Sequence, residues 1–193
     1  MKNRYLILAL SILFFSCSKD VLDRTIFIPD EDDCNLPAYT EWGYNTFGAE
    51  YERDYFLASQ QIIPCKIVYH NDQVHFLLSG IIREDREMSL LFIFPAVQMR
   101  DYEDLIELHN IEIDLVRDSC VVKIIQNDVE TILDIEAGKL YFKRAQLLSV
   151  DDMINRTILS GTFDLRFLKN GFPSTISDGR FDLGITKNVF SYY

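Results

Sequence analysis

Three histidines, His70, His75 and His109, are the side chains best suited to hold a metal or shuttle a proton, because imidazole changes charge near neutral pH. None falls in a ligand spacing such as H-E-x-x-H. His70 and His75 stand five residues apart across a turn and a strand, a spacing read here as opposite faces. Paired acids offer a second chemistry: Glu84, Asp85, Glu87 and Asp151-Asp152 are of the kind that glycosidases set across a scissile bond. Acids gathered in turns are, however, ordinarily solvated. No G-x-S-x-G elbow, P-loop or dinucleotide fingerprint occurs. The chain is therefore read as non-enzymatic, with no catalytic residue, metal site or cofactor assigned.

Cysteine chemistry divides into two cases. Cys34, Cys65 and Cys120 contain no C-x-x-C pair that would favour redox work or zinc. An oxidising compartment permits a disulfide, and Cys34 with Cys65 is the pairing expected, since it would pin an early segment to a strand. Three free, packed thiols are the competing reading. Cys17 differs because its neighbours imply a modification. Lys2 and Arg4 form a short basic region, 5–15 is an uncharged apolar run, and Ser16 is a small residue directly before the cysteine. About 20 apolar residues are needed to cross a bilayer, so this run suits a signal rather than a span. Residues 1–16 are expected to be a lipoprotein signal peptide and Cys17 the lipidated first residue of the mature chain. Phe14 and Phe15 depart from the usual leucine and small residue of a lipobox.

Removing Lys2 and Arg4 with the signal leaves 17 of the 19 basic side chains against 30 acidic ones, a formal charge of −13. Such a surface repels phosphate backbones, which excludes nucleic acid as a partner. With 48% hydrophobic and 13% aromatic residues, the chain can build a core. Residues 17–37 read as an acidic tether, carrying Asp20, Asp23, Asp30, Glu31, Asp32 and Asp33 between Cys17 and Pro37. Consecutive acids with no glycine to turn the backbone do not make a calcium loop. Residues 38–193 read as a single β domain.

Within that domain short β-favouring runs alternate with polar turns. Runs are expected at 46–51, 55–58, 65–69, 73–82 and 89–95, the last nearly all apolar and suited to the centre of a core. Tyr102, Leu105, Ile106 and His109 change the period to three and four, which predicts one short helix begun by Asp101. Alternation returns at 111–115 and 129–135, with Asn127-Asp128 and Gly138-Lys139 as turns. Strands at 140–148, 157–168 and 175–185 follow, with 149–156 as a polar connection. About nine to eleven strands with one short helix imply an all-β antiparallel sandwich or barrel.

Four short motifs carry a resemblance: Leu36-Pro37, Asn45-Thr46-Phe47-Gly48-Ala49, Ser160-Gly161-Thr162-Phe163 and Ser177-Asp178-Gly179-Arg180-Phe181-Asp182. They resemble the recurrent motifs of a family of small lipoproteins of the Bacteroidota whose domain has no known function. The resemblance implies a lipid-anchored protein of the outer membrane, periplasmic or surface-exposed, and brings no reaction, cofactor or catalytic residue. Where that family has an asparagine-glycine turn, this chain has Glu52-Arg53-Asp54. Physically, Gly48 and Gly161 inside strand runs suit a bulge or a close backbone approach, and Asp178-Gly179 a kink. Phe47, Phe163 and Phe181 are expected to anchor the core.

Three functional classes remain. A binding module would take a glycan or an apolar ligand. An accessory lipoprotein would bind another envelope protein through a sheet edge. An enzyme ranks third. A solid core would favour the protein partner and a hollow one an apolar ligand, while Tyr39, Trp42 and Tyr44 outside the core would favour glycan.

Overall fold

A computed structural model describes residues 24–83, 85–96 and 99–193. The signal segment, Cys17 and Glu84 lie outside the described residues. The strands are β1 (Thr46–Tyr51), β2 (Asp54–Leu57), β3 (Cys65–His70), β4 (Gln73–Ile82), β5 (Arg86–Pro95), β6 (Ile111–Asp114), β7 (Val121–Gln126), β8 (Val129–Ile132), β9 (Asp134–Val150), β10 (Met153–Lys169), β11 (Phe172–Ile185) and β12 (Phe190–Tyr192). They form one sheet in the order β6-β9-β10-β11-β1-β2-β4-β5-β7-β8, with β3 joined to β4 and β12 to β3. Pairing is antiparallel except between β12 and β3. The ends β6 and β8 each have one partner, so the sheet is open.

The two halves of this sheet fold over one another as an all-β sandwich because both inner faces carry phenylalanine. Phe76 of β4 meets Phe142 of β9 and Phe181 of β11 at ring separations of 5.5 and 5.3 Å. Phe92 of β5 meets Phe163 of β10 at 5.7 Å. Phe47, Phe163 and Phe181 are all buried. Edge-on and tilted packing of this kind adds to the ~1.5–3 kcal/mol that burying each ring contributes. The core between the halves is thus filled by side chains.

Tight turns connect the strands. Asn71-Asp72, Asn127-Asp128 and Asp151-Asp152 all take positive φ, as residues with short polar side chains can at a hairpin turn. The 3-10 helix Tyr102–Leu108 is capped by Asp101, whose side chain accepts from the Tyr102 N–H, and Asp104 bonds back in a capping box.

Several expectations are corrected. Among the described residues there are twelve strands, and β12, too short to show a period, lies outside every expected run. Residues 149–156 are strand apart from the turn at Asp151-Asp152, and Gly138-Lys139 lie inside β9 rather than in a turn. The described part of the tether is no free spacer. Pro29 bridges to Pro37, Leu36 is buried, and Asp30 forms a 2.7 Å ion pair with Arg180 of β11. Asp33 accepts from the Tyr55 hydroxyl. These contacts place 29–38 against the outer side of β1, β2 and β11, so the packed domain begins before residue 38. The Cys34–Cys65 disulfide is absent: Cys34 is an exposed thiol in that outer segment, whereas Cys65 is buried in the core cluster at the start of β3. Burial pushes the Cys65 thiol up. Cys120 is also free, and burial, foremost, raises it to about 11.

Candidate functional site

Gly161 starts the chain of causes that builds the site. In the pairing of β9 with β10, Arg144 faces Ser160 and Tyr141 faces Thr162, so Phe142 and Lys143 together oppose Gly161. This is a β-bulge, which inserts a residue and re-aims those that follow. A Cβ on Gly161 would lie 2.0 Å from the Tyr141 carbonyl oxygen and 2.7 Å from the Phe181 ring, so the bulge needs glycine there. Its consequence is that Phe142 points inward while Lys143 and Arg144 are both exposed.

Asp182 supplies the second part. It alternates with Phe181 on β11 and so faces outward, yet it is 1% exposed, because residues 39–44 cross over it. Its carboxylate accepts from Thr40 Oγ1 at 2.5 Å, Trp42 N at 3.1 Å, Gly43 N at 2.6 Å and Tyr44 N at 3.3 Å. Three successive N–H groups converging on one anion form a backbone nest, and Gly43 makes it possible with φ +75°. Thr46 on β1 and Ser160 on β10 flank Asp182 in register. Thr46 Oγ1 is buried without a hydrogen-bond partner, and Ser160 Oγ lies near the Tyr39 hydroxyl but outside bonding geometry.

The crossing segment and the bulge together shape a shallow depression of about 350 Å³, lined by Tyr39, Thr40, Glu41, Trp42, Arg144 and Gln146. That size is at the lower end of the ~300–1,000 Å³ of small-molecule sites. Trp42 presents its indole to solvent, 70% exposed, on a backbone held by Asp182. Arg144 Nη1 donates to Glu41 Oε2 at 2.7 Å, and its Nε and Nη2 both reach the single oxygen Gln146 Oε1. Glu41 Oε1 accepts from the Tyr39 hydroxyl at 3.0 Å, and Lys143 Nζ stands 4.4 Å from the centre of the Tyr39 ring. The Arg144 bond, foremost, and the Tyr39 hydroxyl hold the Glu41 carboxyl below its usual range. Burial, foremost, and Glu41 push the Tyr39 phenol up, so it remains a donor.

A larger groove of about 640 Å³ lies elsewhere, lined by 60–65, 184–186, Asn188 and Val189 with Arg24, Thr25 and Asn45. There Asn45 Oδ1 accepts from Gly184 N and Thr186 Oγ1 from Asn188 N, whereas in the smaller depression charged side chains fix one another, which makes it the stronger candidate.

The residues that spacing singled out do not meet. His70 and His75 share the outer face of the β3–β4 hairpin, correcting the expectation of opposite faces. The two-residue turn pairs His70 with Gln73 and Val68 with His75, so an odd separation of five returns to the same side. His109 caps the 3-10 helix and its Nδ1 accepts from Ala145 N. Asp85 lies in the β4–β5 turn, Glu87 follows on β5, and Asp151-Asp152 form the β9–β10 turn. No group of three His, Cys, Asp or Glu among the described residues could hold a metal ion.

Of the three aromatics expected outside the core, Tyr39 and Trp42 line the depression, while Tyr44 adjoins it through the Asp182 nest. Glu41, Arg144, Gln146 and Asp182 went unsuspected as a group. Gly43 between two aromatics was the available hint of a tight backbone turn. No family model, curated protein or solved structure matches this chain.

Proposed function

We propose that this chain is a non-catalytic binding module for glycans, anchored by lipid on Cys17 to the outer membrane of a Gram-negative bacterium. The observation that carries the reading is an exposed Trp42, its backbone N–H held by Asp182, beside Glu41, Arg144 and Gln146. A sugar ring offers an apolar face that stacks on indole, and hydroxyl groups that exchange hydrogen bonds with acid, amide and guanidinium. The phenylalanine-filled core argues against an apolar ligand between the sheet halves. Trp42 is the single tryptophan, so its fluorescence reports directly on the site. A panel of oligosaccharides titrated against the full chain in mild detergent should shift that emission. In calorimetry Trp42→Ala should lose at least tenfold in affinity, about 1.4 kcal/mol, with its melting temperature unchanged. Loss of folding, or retention of affinity, would count against the site.

The anchor rests on the N-terminal pattern, on the resemblance to Bacteroidota lipoproteins, and on compatibility with the fold. No helix among the described residues is long and apolar enough to cross a membrane. Cys17→Ser should move the protein from the membrane to the soluble fraction. Retention in membranes after a high-salt wash would contradict lipid attachment.

An accessory role is the second reading, favoured by β8: all four residues are exposed, including Val129 and Ile132, and one edge pairs with no strand among the described residues. Such an edge can accept a strand from another envelope protein.

A further inference from the structure

We infer that the glycan taken by the Trp42 depression is acidic, a uronic acid oligosaccharide whose ring carboxylate binds the Nε–Nη2 edge of Arg144. The inference rests on the glycan reading and deepens it. Arg144 is fixed at one end by Glu41, a charged partner at 2.7 Å. At its other end two donors, Nε at 2.9 Å and Nη2, share one neutral oxygen of Gln146. A carboxylate offers that edge two oxygens, one for each N–H, in the parallel geometry that guanidinium matches best, and charge-assisted bonds are roughly twice as strong as neutral ones.

The surrounding charge points the same way. The whole chain has a formal charge of −11, yet the Gly161 bulge sets Lys143 and Arg144 side by side on the surface. Glu41 is the one carboxylate lining the depression, and both its oxygens are engaged, with Arg144 and with Tyr39. Asp182, behind it, is buried under four donors. Trp42 and the Arg144 edge shared on one neutral oxygen thus suit a ligand that combines a stackable ring with a negative group.

The test uses the full chain in mild detergent and short galacturonate, glucuronate and mannuronate oligomers. Each is compared with its methyl ester, which keeps ring and linkage and removes the charge. At least one acid should bind ten times or more as tightly as its ester, with quenching of Trp42. Arg144→Gln should abolish the preference for acid over ester, the acid losing at least tenfold more affinity than the ester does. Gln146→Ala removes the competing acceptor and should raise the preference for acid over ester severalfold, whatever contact with the sugar hydroxyls both lose; an unchanged or smaller preference would count against the fork. Equal binding of acid and ester, dependent on Trp42, would overturn the acidic ligand and keep the glycan reading. Neutral oligosaccharides binding where no acid does would have the same meaning. If no oligosaccharide of either kind bound, both readings would fail. Acidic peptides binding as tightly as the uronates would overturn the sugar and point to a protein partner.

Discussion

The two halves of the folded sheet have similar inner faces and very different outer ones. Along β4, buried and half-buried residues alternate without interruption, and its ten pairings with β5 run in unbroken register. That half presents solvent with an ordinary mixed surface, including His70, His75 and Lys123. The β9–β10–β11–β1 half is irregular: its register shifts at Gly161, near Asn155, near Asp178-Gly179 and again at Arg166/Phe167. There the outer face carries a buried carboxylate, a covering segment and a cation pair. The contrast teaches that departures from period two build the site, while adherence to it builds the wall on which the site rests.

Removing the anchor should erase the difference most completely. Asp182→Asn would set an amide N–H₂ in place of one carboxylate oxygen, facing either the three donors that now meet Oδ2 or the Gly43 N–H that meets Oδ1. Leaving a buried donor without an acceptor costs about 1–3 kcal/mol, and several are affected at once, so a large drop in denaturation midpoint is expected, with Trp42 emission shifted even in the native state. An unchanged midpoint would show that residues 39–44 hold their path without Asp182. Gly161→Ala attacks the bulge instead. A methyl 2.0 Å from a carbonyl must displace backbone, at about 1–3 kcal/mol, and should tilt Lys143 and Arg144 away from Tyr39 and Glu41. Amide chemical shifts at 141–146 should move while those along β4 stay fixed. Shifts spread evenly over both halves would deny that the bulge acts locally.

The plain half was the more legible in sequence, for a physical reason. Alternation and positive-φ turn residues are local, so the β3–β4 hairpin, the Asn127-Asp128 turn and the Asp101-capped helix could be read within windows of a few residues. The site has no such locality. Asp182 meets its donors across 138 to 142 residues of chain, and an acid outward on a strand gives no sign that a segment will cover it. Gly161, Gly48 and Asp178-Gly179 did signal close approach or kinking. What they could not signal was which side chains a bulge on the neighbouring strand would turn outward. The packed segment 29–38 was misread for a related reason: Asp30 and Asp33 look like solvated acids until Arg180 and Tyr55 arrive from distant strands.

The smallest expected effect belongs to the plain half and concerns pH. Burial, foremost, with His70 and Lys123 nearby, lowers the His75 imidazole below its ordinary value near 6.5. The folded chain therefore binds this proton less readily than the unfolded one. Above about 6.5 neither state is protonated there and the full stability is present. As pH falls below that value the unfolded state gains a proton first, and stability declines until the folded imidazole also titrates. His75→Gln should remove this slope. The difference in urea midpoint between the parent and His75→Gln should thus be constant above neutrality and shift in favour of the variant as pH falls toward 5. The Trp42 depression, on the opposite half and built from Glu41, Arg144 and Tyr39, is lined by no histidine among the described residues, so the affinity of the proposed glycan should not follow the His75 slope. If affinity followed the His75 slope, the two outer faces would be coupled through the core, and the separation between plain and irregular halves would not hold.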